Sequence, residues 1–170
     1  QSYNSTKFSI PRFPKSLINI TGVQGDLLTN AVVLYLGRLC GKSTYDIGYL
    51  SQRTNDQFIN EYNLISKYVP LKVDIDFNLS FVKLNQSLTN ETRCVENNGS
   101  FYKDLIGRIP ELKKSSREIN KLLKHIVIER VNDLAVKKDT TDSDLSIMID
   151  DNGYECLWIY NTNMFSDQAI

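Results

Sequence analysis

Between Gly25 and Gly41 the chain reads Gly-Asp-Leu-Leu-Thr-Asn-Ala-Val-Val-Leu-Tyr-Leu-Gly-Arg-Leu-Cys-Gly, and no other stretch limits the possible folds so strongly. From Leu27 to Leu39 apolar side chains point in nearly every direction around a helix, which leaves little polar face and predicts burial on most sides. Asp26 suits the N-cap, where its carboxylate can accept orphan N–H groups of the first turn, and Gly41 can take the left-handed conformation that ends a helix. Thr44 to Ser51 follows as a β-prone run in which Tyr45, Ile47 and Tyr49 alternate onto one side. Buried helix, tight turn and buried strand form a unit that the other elements must wrap.

Those elements follow from local patterns. Gln1 to Lys7 is polar and expected to be loose, while Phe8 to Pro14 is extended, because each proline pushes its predecessor out of the helical region; it suits an edge strand. Leu17, Ile18, Ile20 and Val23 form an apolar patch that Gly22 and Gly25 break into a turn or a short irregular helix. Gln52 to Glu61 is a polar connection. Val69, Leu71, Val73 and Ile75 then alternate with Pro70, Lys72, Asp74 and Asp76, the pattern of a half-buried strand. Pro70 lacks an N–H and so marks an edge, a bulge or a strand start. Ser80 is placed to cap a helix from Phe81 to about Glu96, which Asn97-Asn98-Gly99 ends. A further helical turn over Phe101 to Gly107 and a weakly amphipathic helix over Lys113 to Leu123 precede three strands: Lys124 to Val131, Asp144 to Asp150 and Glu155 to Asn161. Asp150-Asp-Asn-Gly153 is a turn sequence that joins the last two as a hairpin. Phe165 to Ile170 reads as the start of a helix with Ser166 or Asp167 as its cap. This order predicts an α/β two-layer sandwich with a mixed sheet, since the hairpin is antiparallel and the helical crossovers allow parallel pairs.

At 170 residues the expectation is one domain, over residues 1–170 and truncated at one or both ends. Twenty basic residues balance twenty acidic ones, so no overall field favours nucleic acid or an anionic membrane. No apolar run reaches the roughly 20 residues that span a bilayer. Cys40, Cys94 and Cys156 form no C-x-x-C pair and read as small buried hydrophobes of a reducing compartment, which favours the cytoplasm. Asn4, Asn19, Asn78, Asn85, Asn90 and Asn98 each begin an N-x-Ser/Thr sequon, a pattern that a chain rich in Asn, Ser and Thr produces by accident.

Chemistry is sparse. His125, the single histidine, shares its strand face with Val127, Glu129 and Val131 and has no Ser or Cys neighbour to activate, so it reads as an edge or partly exposed sheet position. One histidine and scattered cysteines give no metal set at recognised spacing, and Asp142, Asp144, Asp150 and Asp151 lack the calcium-loop pattern and read as turn residues. Phosphate-cradling and nucleophile-elbow motifs are absent.

Several stretches, in order, resemble the condensation domains of nonribosomal peptide synthetases. Leu36-Gly-Arg-Leu-Cys-Gly-Lys followed by Tyr45-Asp-Ile-Gly48 is similar to that family's buried helix ending in Arg-Leu-x-Gly and the strand ending in Ile-Gly. Leu64-Ile-Ser-Lys-Tyr-Val-Pro-Leu-Lys-Val-Asp resembles its Phe-Val-Asn-Thr-x-Pro-Leu-Arg strand, and Ser80-Phe the start of the next helix. Leu145-Ser-Ile-Met-Ile, Asp151-Asn-Gly and Tyr160-Asn-Thr-Asn-Met-Phe resemble its closing hairpin and Tyr-Asn-Thr-Asp-Leu-Phe signature.

The resemblance implies the C-terminal half of a chloramphenicol acetyltransferase-like fold, one lobe of a V in which carrier-bound donor and acceptor meet. It places Gly48, Ser66 and Lys67 on the substrate tunnel and assigns no catalytic and no metal-binding residue. The family's His-His-x-x-x-Asp-Gly motif belongs to the other half and is absent here. Lys67 stands in place of the family's Asn, Leu50 replaces a frequent Pro, Arg53 is displaced by one position, and the link from Val131 to Leu145 is shorter than the family's latch. The implied role is a non-catalytic scaffold beside an adenylation domain and a peptidyl carrier protein in antibiotic or siderophore biosynthesis. Alternatively, it is one half of an active condensation domain completed by an N-terminal half. No cofactor is implied in this chain; phosphopantetheine would ride on the carrier proteins. An unrelated binding module with similar α/β patterning is the third reading.

Overall fold

The structure, a computed structural model, describes residues 2–50, 68–98, 108–109, 111, 125–134 and 143–170. Its elements are β1 (Tyr3–Ser9), α1 (Lys15–Thr21), α2 (Gln24–Leu39), β2 (Thr44–Leu50), β3 (Val69–Asp74), α3 (Phe81–Asn98), β4 (Ile126–Val131), β5 (Leu145–Asp150) and β6 (Glu155–Asn161). The strands form one mixed sheet in the order β1-β6-β5-β4-β2-β3. β4 runs parallel to β2 and β5, and every other pair is antiparallel. The two-layer mixed-sheet expectation therefore holds, with α2 and α3 packed against the sheet and α1 against both helices.

Register explains the core. Tyr49, Ile128, Ile147 and Trp158 stand side by side across β2, β4, β5 and β6. With Ile47, Leu71, Val73 and Tyr160 they join the same apolar cluster as Val33 and Leu36 of α2 and Leu84 and Leu88 of α3. The opposite sheet face carries a smaller cluster of Leu134, Met148 and Leu157.

α2 is buried as its sequence requires through Leu27, Leu28, Val32, Val33, Leu34 and Leu36, but its last turn leaves Tyr35 and Leu39 largely exposed. Its polar interruptions are used inside the core. Asn30 Nδ2 donates to Asn85 Oδ1 at 2.9 Å and to Thr89 Oγ1 at 2.9 Å on α3, and Thr29 Oγ1 donates to the Gly25 carbonyl. Gly41 ends the helix at φ +63°, as expected. Asp26 is not the N-cap: Val23 holds that position without a side-chain bond, and Asp26 lies in the first turn.

Other expectations change as well. Tyr3 to Lys7 is not loose but forms most of β1, paired along its length with β6; its polar side chains suit a strand that, among the described residues, has a neighbour on one side only. The edge-strand expectation is right in kind and placed too late in the chain. Lys15–Thr21 is a regular short helix, and residues 166–170 make a single turn, with the Ala169 N–H donating to Ser166 Oγ, and not a helix. Cys40 and Cys94 are exposed; only Cys156 is buried.

The hairpin at Asp150–Gly153 forms as read, with Gly153 at φ +72° and the Asp150 carboxylate accepting the Glu155 N–H. Ser80 caps α3 weakly, its Oγ lying 3.5 Å from the Lys83 nitrogen. The expected connection 52–61 and helical stretches 101–107 and 113–123 lie outside the described residues, as does most of the link between β4 and β5.

Candidate functional site

Gly48 is buried in the middle of β2, in register with Pro70 of β3 and Val127 of β4. Ile47 and Tyr49 point into the helix-side core, so alternation puts position 48 on the opposite face, in one row with Val127 and Ser146. The adjacent row on that face is Leu50, Glu129 and Met148. Glu129 is 2% exposed, and Tyr68, which opens the described part of the β3 segment, donates its hydroxyl to Glu129 Oε1 at 2.7 Å. Ser66 and Lys67 lie outside the described residues. The structure thus brings Gly48, Tyr68, Glu129 and Ser146 onto one sheet face. Sequence reasoning placed Glu129 beside Val127 but gave it no role. Its signal was a lone acid within the apolar run Ile-Val-Ile-Glu-Arg-Val.

The helix-side face carries a second polar group at the start of α2. Arg130 Nη1 donates to Asp26 Oδ1 at 2.8 Å, and Nη2 lies 3.1 Å from Asp151 Oδ1 and donates to the Asp151 carbonyl at 3.3 Å. Burial works against the guanidinium charge, but the Asp26 hydrogen bond and the charges of Asp26 and Asp151 outweigh it, and the group is held more firmly protonated than usual. Gly25 makes this approach possible: a Cβ there would stand 2.4 Å from both Arg130 Nη2 and the Asp151 carbonyl oxygen. Gln24 completes the junction by donating Nε2 to the Gly153 carbonyl at 3.0 Å and accepting the Phe13 N–H at 3.3 Å. Nearby, the Tyr49 hydroxyl donates to Glu96 Oε1 at 3.0 Å, and burial followed by that carboxylate pushes its pKa far up.

His125 stands immediately before β4, an interior strand and not an edge, with its side chain 48% exposed. Its Nδ1 meets Asp144 Oδ2 at 2.6 Å, a surface pair at the starts of two parallel strands. Among the described residues no group of three His, Cys, Asp or Glu side chains could hold a metal ion, and no helix is long and apolar enough to cross a membrane. A cavity of about 460 Å³ is an uncharged groove between α2 and the β1–β6 side of the sheet, lined by Leu36, Cys40, Ile126, Trp158, Phe165 and Ile170 among others. The arrangement can bind and support. Among the described residues it sets no thiol or serine hydroxyl against His125.

No protein-family model and no curated protein matches the sequence. Solved structures do match by shape. The starter condensation domain of rhizomide synthetase RzmA superposes over 98% of this chain and 40% of its own, at 12% identity and a TM-score of 0.58. The condensation domain of the monacolin K polyketide synthase MokA covers 97% of this chain and 43% of its own, at 11% identity and a TM-score of 0.56. The first condensation domain of the CDA synthetase covers 99% and 41%, at 10% identity and a TM-score of 0.55. The chain therefore spans about two-fifths of the length of the structures it matches. By fold, it corresponds to part of a condensation domain of the chloramphenicol acetyltransferase-like type.

Proposed function

We propose that this chain is the C-terminal half of a condensation-type domain of a nonribosomal peptide synthetase, non-catalytic by itself and serving as a scaffold beside an adenylation domain. The observation that carries the proposal is the near-complete overlap of the chain with about two-fifths of several condensation domains, in a sequence whose single histidine cannot supply a His-His-x-x-x-Asp-Gly motif. Gly48, Ser66 and Lys67 line the tunnel side in this reading, and the phosphopantetheine arms of carrier proteins reach toward them. Free thiols at Cys40 and Cys94 on the surface fit a reducing compartment, hence the cytoplasm.

A second reading, one half of an active domain completed by a separate N-terminal half, draws on the same overlap, because the part of the matched structures outside it is large enough to hold the second lobe. Reconstitution with aminoacyl-loaded donor and acceptor carrier proteins separates the two. The scaffold reading expects no peptide bond from this chain with or without an added N-terminal half bearing the histidine motif, and co-purification with the adjacent adenylation domain. Condensation on adding that half establishes the second reading. Condensation by the chain alone, or no association with the adenylation domain, overturns the first.

A further inference from the structure

β3 is the last strand of the sheet, and among the described residues no strand pairs with its outer side. The Ile75 N–H donates to the Ser43 carbonyl, across the β2–β3 pair. Alternation along the strand then turns the N–H and C=O groups of Leu71 and Val73 toward β2 and those of Lys72 and Asp74 outward. Pro70 falls in the outward set. Its missing N–H costs the β2 pairing nothing, which is why a proline is tolerated here, and the open N–H groups begin two residues further on, at Lys72.

This edge forms one wall of a groove of about 410 Å³ whose other wall is α3. Leu84, Ser87, Leu88 and Glu91 line it at helical spacing, with Leu79 at one end and Lys72, Asp74 and Asp76 along the strand. Seven residues of helix rise about 10 Å, the length of about three residues of strand. Open backbone on one side, a helix on the other and a short apolar floor between them is the geometry in which an extended peptide adds to a sheet. The charge is one-sided, since three carboxylates face one ammonium. Asp74 accepts from the Thr44 hydroxyl and Asp76 from Asn78, both neutral donors. Phe77 and Phe81, beside the Leu79 end, are also more than a third exposed, an apolar margin of the kind found at protein contacts.

We infer that the β3–α3 groove is a docking site for an extended, basic segment of a protein partner, which adds to the sheet as a strand next to β3. Its alternate side chains divide between the two walls. Apolar ones enter the groove over Leu84 and Leu88, and lysine or arginine side chains on the other face meet Asp74 and Asp76.

The test is fluorescence anisotropy with the whole chain and a labelled heptapeptide of alternating lysine and leucine. Two controls are a version N-methylated at alternate backbone positions and a version with glutamate for lysine. Strand addition expects saturable binding of the first peptide and a loss of about tenfold or more for each control. The charge-reversed variant Asp74→Lys/Asp76→Lys is expected to lose a similar factor, with its far-ultraviolet circular dichroism unchanged. Equal binding of the N-methylated peptide overturns strand addition, and equal binding of the acidic peptide overturns the charge argument. No binding of the basic peptide at about 1 mM overturns the site. Both peptide controls read the wild-type chain, so they decide the question even where the variant does not fold.

Discussion

Replacing Gly25 by alanine tests the junction on which the start of α2 rests. Within a helix, alanine is worth about 1 kcal/mol more than glycine, so propensity alone predicts a more stable protein. The surroundings predict the reverse. The new methyl would sit 2.4 Å from Arg130 Nη2, which can swing away, and 2.4 Å from the Asp151 carbonyl, which belongs to the backbone of the hairpin turn. Relief requires α2 and the hairpin to separate, an overpacking cost of about 1–3 kcal/mol. The same movement loosens the Arg130–Asp26 pair, whose side chains are 10% and 29% exposed. Its loss falls between the small value of a surface pair and the 3–5 kcal/mol of a fully buried one, at about 2 kcal/mol. The net expectation is a destabilisation of about 3 kcal/mol, or a Tm lower by about 6–12 °C for a chain of this size. Urea and thermal unfolding followed by the fluorescence of Trp158, the single tryptophan, measure it. Gly41→Ala is the comparison: its Cβ meets nothing within 4 Å, and only the left-handed backbone at φ +63° opposes it, at about 1–2 kcal/mol. A Gly25→Ala protein as stable as the parent, or more so, would refute the docking of α2 on the hairpin.

The other expectations concern buried polar groups and thiols. Asn30→Ala removes the donor shared by Asn85 and Thr89 and should cost about 1–3 kcal/mol, read as a lower urea midpoint with an unchanged m-value; no shift would mean that the α2–α3 contact is carried by apolar packing alone. Tyr45 and Tyr49 have hydroxyl pKa values raised chiefly by burial, so their contribution to stability is complete below the unfolded tyrosine value of about 10 and is lost as the pH rises above it. Ultraviolet titration of the nine tyrosines should show Tyr45 and Tyr49 among those that ionise only as the chain unfolds at alkaline pH, and the Tyr49→Phe variant should show one fewer; early titration of both would place them in solvent. Ellman's reagent should modify Cys40 and Cys94 promptly and Cys156 only in denaturant, its thiol pKa being raised by burial; three equally fast thiols would contradict the packing of β6.

What the sequence revealed and what it hid divide by the range of the interaction. The α2–β2 unit, the β3 alternation and the β5–β6 hairpin were legible because period, proline and glycine act within a few residues, and Gly41 and Gly153 take the positive φ their positions demanded. β1 was missed because Tyr3–Lys7 is polar, and its strand character comes from β6, more than 140 positions away. Asp26 was misassigned for the same reason: its acidity near a helix start suggested a cap, whereas its partner is Arg130, 104 residues along the chain. Asn30 is a polar side chain inside an apolar helix, and its acceptors come from α3, 55 and 59 residues along the chain. On the candidate site, parity placed Glu129 on the face of Val127 correctly, but only the fold brings Tyr68 to its carboxylate.

The pairing of the first and last strands has a consequence for rearranging the gene. The Thr162 N–H donates to the Ser2 carbonyl, and Asn4 Nδ2 donates to Asp167 at 3.1 Å, so residues 2–4 and 162–167 meet at the same corner of the sheet. A short linker could close them into a ring, and the exposed turn at Gly41–Ser43 offers a place to reopen it. The same meeting makes trimming hazardous: deleting the first nine residues would strip β6 of its outer neighbour and turn a covered strand into a sticky one.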